Sequence, residues 1–227
     1  MTSKPIKFEF SAILFDLDGV LIDSTSCIER HWEEWAKDHN IDIDFVLQNA
    51  HGVRTIETMQ IVAPHLDLKK EAAAFTHNEV NDTDGVLAIK GAHQILANLP
   101  EDKWAIVTSG SYDLVKARLR ATNLPIPSHL VTADDVRIGK PSPEPYLIGA
   151  KKFGLTSDQC VVVEDSPIGV RAGKAAGMKV IGILSTHTKT TLQEAGADFI
   201  INDLQHIQIT SNKNNQKLII ELDQTDH

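Results

Sequence analysis

Cysteine is scarce in this chain, with two in 227 residues, Cys27 and Cys160. Two thiols so far apart are no disulfide framework, and they read as reduced, buried side chains of a cytoplasmic protein. Long apolar runs are missing as well. They stop at four to six residues, far short of the ~20 that a membrane-spanning helix needs. Residues 1–10 carry Lys4 and Lys7 but no apolar signal core, so secretion is not expected. Nor is there a cationic excess. The 22 Lys and Arg stand against 31 Asp and Glu, a net charge of −9, which disfavours nucleic acid and anionic membrane as partners. No repeat or low-complexity segment is visible. Neither a Gly-Lys-Ser/Thr nucleotide loop nor a Gly-x-Ser-x-Gly elbow occurs. The ten histidines are scattered without ligand spacing, so zinc is not expected.

What is present is a series of short Val- and Ile-rich segments, each delivering polar or acidic residues at its end. They are Ala12–Phe15, Trp104–Val107, His129–Val131, Val161–Val163 and Val180–Leu184, with a sixth at Phe199–Ile201. Short, non-alternating apolar runs suit strands buried on both faces. Helical stretches lie between them. Ser142-Pro143 reads as the cap and first residue of a helix ending at Gly154, and Ser166-Pro167 does the same for one ending at Gly177. Strand–helix alternation implies an open, mostly parallel α/β sheet of the Rossmann-like kind.

Residues 24–89 break the alternation. They show three helical patterns and no buried strand: one through Ile28, Trp32, Trp35, Ala36 and His39, a weaker one through Ile56, Met59, Gln60 and Ala63, and a third over Ala72–Val80. Such an interval reads as a separate helical unit inserted into a core built from residues 1–23 and 90–227. Trp32 and Trp35 are expected in its core. In the tail, Ser211–Gln216 reads as a polar loop and Lys217–Leu222 as a small edge strand.

Open α/β sheets bind ligands at the carboxyl ends of their strands. There the first strand delivers Asp16-Leu17-Asp18-Gly19, the second Thr108-Ser109-Gly110-Ser111, the loop after the third Gly139-Lys140-Pro141, and the fourth Glu164-Asp165-Ser166. Four carboxylates against one lysine are unstable together unless a cation binds or a carboxyl stays protonated. Oxygen-only ligands favour a hard ion, and Mg²⁺ fits best. Hydroxyls and free amides at Ser109–Ser111 offer a seat for phosphate. Carboxylates, a hard cation, a lysine and an anion cradle describe phosphoryl transfer.

Asp16-Leu17-Asp18-Gly19-Val20-Leu21-Ile22-Asp23-Ser24 resembles the first motif of the haloacid dehalogenase superfamily in its phosphatase branch. Ser109, Lys140 and Glu164-Asp165 are similar to its second, third and fourth motifs, in order and normally spaced. The helical insert matches the family's cap. The resemblance runs over almost the whole chain, through 51–55, 103–113, 139–147 and 161–177, toward sugar-phosphate and polyol-phosphate phosphatases.

That resemblance implies roles. Asp16 becomes the nucleophile. Asp18 ligates Mg²⁺ through its backbone carbonyl and serves as acid and base through its carboxyl. Ser109 and the Gly110 amide hold phosphoryl oxygens, with Thr108 the alternative second-motif hydroxyl. Lys140 neutralises charge, Asp165 ligates the metal, and Glu164 is a ligand or a water-mediated partner. Arg54, and more weakly His51, face the substrate from the cap. The expected enzyme is a Mg²⁺-dependent phosphatase of small phosphorylated metabolites, a monomer by default. Phosphosugar mutases of the superfamily are the alternative, but they carry a histidine ten residues beyond the second Asp, where this chain has Ile28. An inactive phosphate-binding protein is the distant alternative, and predicts a lost motif residue that this chain does not show.

Overall fold

The computed structural model describes residues 6–211 and 217–222. In chain order the elements are β1 (Ile6–Phe10), β2 (Ala12–Phe15), β3 (Ile22–Asp23), α1 (Thr25–His39), α2 (Ile43–Ala50), α3 (Thr55–Val62), α4 (Leu68–Asn81), β4 (Leu87–Ala88), α5 (Ala92–Asn98), β5 (Trp104–Val107), α6 (Tyr112–Ala121), β6 (His129–Val131), α7 (Glu144–Lys152), β7 (Cys160–Glu164), α8 (Pro167–Ala175), β8 (Lys179–Ile183), α9 (Lys189–Glu194), β9 (Phe199–Ile201), β10 (Ile207–Ser211) and β11 (Leu218–Leu222).

Six strands form a parallel sheet in the order β6-β5-β2-β7-β8-β9. Successive side chains of a strand point to opposite faces, and here both faces are apolar. Ile13, Phe15, Ile106, Val161 and Val163 join one core cluster. Their neighbours Ala12, Leu14, Ala105, Val107 and Val162 join the other. That is why these strands read as continuous apolar runs. β2 comes first of the six in the chain yet lies in the middle, between β5 and β7, so the connections leave it in two directions. The crevice at such a reversal is where an open α/β sheet receives its ligand.

Within residues 24–89 the described chain holds four helices rather than three. The additional one, α2, is eight residues long, and its cap Asp42 accepts from the amides of Asp44 and Phe45. Trp32, Trp35, Val46, Met59 and Phe75 form a hydrophobic cluster of their own. A short ribbon of β3 with β4 joins the two ends of this segment.

The termini depart from expectation. β1 has no counterpart among the expected strands, because I-K-F-E-F alternates instead of running apolar. β11 is not an edge strand: it sits between β1 and β10 in a three-stranded antiparallel sheet, pairing Ile6 with Leu222 and Ile207 with the same residue. Its Leu218, Ile220 and Leu222 are buried in the main core. Ser211 belongs to β10, and the rest of the expected polar loop lies outside the described residues. The helix expected to begin at Pro143 starts at Glu144, with Ser142 Oγ accepting from the Glu144 amide.

Candidate active site

Asp16 leaves the end of β2, its amide bonded to the Val163 carbonyl of β7. The chain then turns tightly. Gly19 has φ +78°, and a Cβ there would collide with the Asp165 carboxylate. The glycine is therefore required twice, for a left-handed backbone and for close approach.

Asp16, Asp18, Thr108, Ser109, Gly110 and Asp165 line one cavity at the carboxyl edge of the sheet, and His51 lines it from the loop after α2. Lys140 lies beneath, 2.9 Å from Asp16 Oδ1 and 2.7 Å from Glu164 Oε1. Only the second contact is a hydrogen bond. Asp16 Oδ1 is thus buried without one.

The charges strain one another. Burial raises the Asp16 pKa from 3.8 to about 7 against the pull of Lys140, and Glu164 and Asp18 add to the rise. Burial, then Glu164 and Asp16, pushes Asp165 well above the ordinary carboxylate range. For Lys140, burial works downward, but Asp16 and Glu164 outweigh it and keep the amine protonated. Carboxylate oxygens of Asp16, Glu164 and Asp165 lie within 4.8 Å of one another. Two destabilised carboxylates and an all-oxygen donor set fit a hard divalent cation.

Glu164 already spends both carboxylate oxygens on hydrogen bonds within the protein. Its Oε1 accepts from Lys140 and from Tyr146 Oη, at 2.7 and 2.8 Å. Its Oε2 accepts from the amides of Asp165 and Ser166 and from Ser166 Oγ. Fully buried and saturated, it anchors Lys140. A Cβ at Gly169 would collide with it, which explains that glycine on the first turn of α8.

Arg54 is also placed differently from the sequence expectation. Its guanidinium bonds Glu57 and the carbonyls of Val136 and Arg137, bridging the helical segment to the loop before Lys140. It is not among the residues lining the cavity. Of the two second-motif hydroxyls, Thr108 Oγ1 accepts from the Gly110 amide, whereas Ser109 Oγ donates to the Gly52 carbonyl across the cavity.

Several site residues were missed from sequence. Thr186 bonds the Asp165 carboxylate and lines the cavity, and His187 packs edge-on to His51. Their signal was available, since Ser185-Thr186-His187 also comes after a strand end. Arg118 and Glu79 had none, because both sit in helices. Arg118 donates to Asp18 Oδ1 at 2.7 Å and to Glu79 Oε1 at 2.9 Å, and Ser24 Oγ donates to Asp18 Oδ1 at 2.6 Å. Trp32 belongs to the helical core and also lines the cavity.

The haloacid dehalogenase-like hydrolase profile matches residues 13–183, spanning all four motif-bearing strand ends. The chain belongs to that family. It is 39% identical to hexitol phosphatase A of Escherichia coli, over 91% of this chain and 97% of that one. It is 35% identical to glycerol-1-phosphate phosphohydrolase 1 of Saccharomyces cerevisiae, over 92% and 88%. Among solved structures, a hydrolase from Pseudomonas syringae superposes with a TM-score of 0.74 at 28% identity, covering 86% of this chain and 94% of that one.

Proposed function

We propose that the protein is a Mg²⁺-dependent phosphatase of small phosphorylated sugars or polyols, working through a phosphorylated Asp16. The observation that carries this reading is the pair Asp16 and Asp18 on one cavity with Lys140 2.9 Å from Asp16 Oδ1. Similarity to polyol phosphatases over nearly the full chain supports it.

Asp16 attacks phosphorus, forming an acyl phosphate while the bond to the leaving oxygen breaks. Asp18 gives its proton to that oxygen, then takes one from the water that cleaves the acyl phosphate and frees inorganic phosphate. Arg118 and Ser24 hold Asp18 Oδ1 in both steps, leaving Oδ2 to carry the proton. Ser109 and the Gly110 amide cradle phosphoryl oxygens, once the amide exchanges Thr108 for substrate. Lys140, oriented by Glu164, offsets charge on Asp16. Mg²⁺ held by Asp16, Asp165 and the Asp18 carbonyl supplies charge neutralisation of the phosphoryl group. Residues 24–89 act as a cap over the core of 1–23 and 90–227, excluding water and bulky substrates. Ile28 lines the cavity where mutases have a histidine, which favours hydrolysis over isomerisation.

Phosphate release from glycerol, sorbitol, 2-deoxyglucose, hexose and pentose phosphates tests the reading, with isomer analysis of the hexose products. Release is expected for one or a few esters, lost with EDTA and restored by Mg²⁺. The Asp16→Asn variant is expected to lose on the order of 10⁴-fold in kcat while still folding. Activity near wild type in that variant contradicts the nucleophile, and isomers without phosphate release indicate a mutase.

A further inference from the structure

The leaving group must occupy the part of the cavity walled by the helical segment, and the chemistry of that wall is specific. Its apolar surface includes Ile28, Trp32 and Phe75, with the last two rings 4.2 Å apart. Among the described residues, Glu79 of α4 is the one formally charged side chain this segment contributes to the lining. It is 5% exposed. Glu79 Oε1 is taken by Arg118, and no hydrogen bond reaches Oε2 among the described residues.

Arg118, on α6 of the core, is 2% exposed and is the only Lys or Arg among the described residues that line the cavity. Its charge is already shared between two carboxylates, Asp18 and Glu79. Shared in this way, the guanidinium offers no free positive charge to a second phosphate, and Glu79 keeps a spare carboxylate oxygen. Such a wall accepts hydrogen bonds from hydroxyl groups. It also repels a second anion, and desolvation makes that repulsion stronger than in water. Burial raises the Glu79 pKa to about 7 against the pull of Arg118, and Asp18 adds to the rise, so the charge that repels a second anion is fullest above that pH.

We propose that Glu79, anchored by Arg118, selects uncharged, polyhydroxylated leaving groups and excludes substrates that carry a second phosphate. The aromatic pair of Trp32 and Phe75 receives the C–H faces of the same leaving group. The selected class is therefore the monophosphate esters of sugars and sugar alcohols. Glu79 binds the part of the substrate that departs, and Arg118 fixes both Glu79 and Asp18, so recognition of the alcohol and orientation of the acid share one buried guanidinium. This inference rests on the phosphatase reading proposed for the site.

Three esters separate the effects: sorbitol 6-phosphate, phenyl phosphate without hydroxyls, and fructose 1,6-bisphosphate with a second phosphate. Wild type is expected to favour sorbitol 6-phosphate over the bisphosphate by more than ~100-fold in kcat/KM. In Glu79→Gln the KM for sorbitol 6-phosphate rises ~10-fold, phenyl phosphate changes less than ~3-fold, and bisphosphate hydrolysis increases in absolute rate. That gain is one that damage to the fold does not produce. Equal losses on all three esters assign Glu79 a merely structural role and overturn the proposal, as does wild-type use of the bisphosphate on a par with the monophosphate. Should circular dichroism show Glu79→Gln unfolded, the wild-type ratio and Glu79→Asp decide, the latter being expected to keep the bisphosphate excluded. Failure of the phosphatase reading looks different: wild type then releases phosphate from none of the three, phenyl phosphate included, and the proposal falls with it.

Discussion

Glu164 shows how the chemistry of one residue depends on what its oxygens already hold. An acidic pair at a strand end suggests two metal ligands, yet the five hydrogen bonds to Glu164 leave Asp165 as the member with oxygen to spare. Removing Glu164 strands Lys140 as a buried cation with only Asp16 beside it and frees the Tyr146 hydroxyl. Breaking one side of a buried ion pair costs about 3–5 kcal/mol. Glu164→Ala is therefore expected to unfold at markedly lower urea than wild type, by that amount of free energy. A loss below about 1 kcal/mol contradicts the anchoring role.

Among the elements, the turn from β2 into β3 carries the tightest constraint on the site. Gly19 is left-handed and abuts Asp165, while Ser185 Oγ donates to the Gly19 carbonyl from the loop after β8. Gly19→Ala adds a Cβ where the Asp165 carboxylate now sits. The backbone cost is about 1 kcal/mol, but the displaced carboxylate matters more. Mg²⁺ affinity measured by isothermal titration is expected to fall at least ~10-fold, with a thermal transition only a few degrees lower. Unchanged Mg²⁺ binding in a folded Gly19→Ala protein removes Asp165 from the metal site. The helices of 24–89 illustrate a different constraint. Ser109 Oγ reaches the Gly52 carbonyl and Arg54 reaches two carbonyls of the core loop, so the connection between α2 and α3 is tied to the core at two points.

At the scale of the whole molecule, protons compete for the carboxylates assigned to the proposed metal. The folded pKa of Asp16 is about 7 against an ordinary 3.8, and Asp165 shifts in the same direction. Between about pH 4 and 7 the metal-free fold keeps protons that the unfolded chain has released. These carboxyls therefore stabilise the fold fully at low pH and lose that contribution as pH rises through about 7. His31 and His187, whose pKa values burial lowers, act in the opposite sense over part of the same window. Lys140 is protonated in both states throughout and contributes no proton change there. The clean observable is consequently the rise in Tm on adding Mg²⁺, at constant concentration. It is expected to be larger at pH 8 than at pH 5.5, because at the lower pH the cation must displace protons from Asp16 and Asp165. An equal rise at both pH values places Mg²⁺ elsewhere.

The sheet and the floor of the site were legible because their signals are local. A strand buried on both faces must be apolar at consecutive positions, and Ala12–Phe15, Trp104–Val107 and Val161–Val163 are. The residues just after each strand reach the carboxyl edge whatever the rest of the chain does, so Asp16, Asp18, Ser109 and Asp165 could be gathered from order alone, with Lys140 from the loop that follows the third strand. α2 escaped because its eight residues present too short a period, and β1 because its alternating residues gain meaning only beside β11, at the far end of the chain. The direction of Arg54, the saturation of Glu164 and the sharing of Arg118 by Asp18 and Glu79 were decided by the tertiary structure. Each depends on which distant oxygen meets a given polar hydrogen, and in a buried site that pairing depends on how whole helices pack, a quantity that no local spacing encodes.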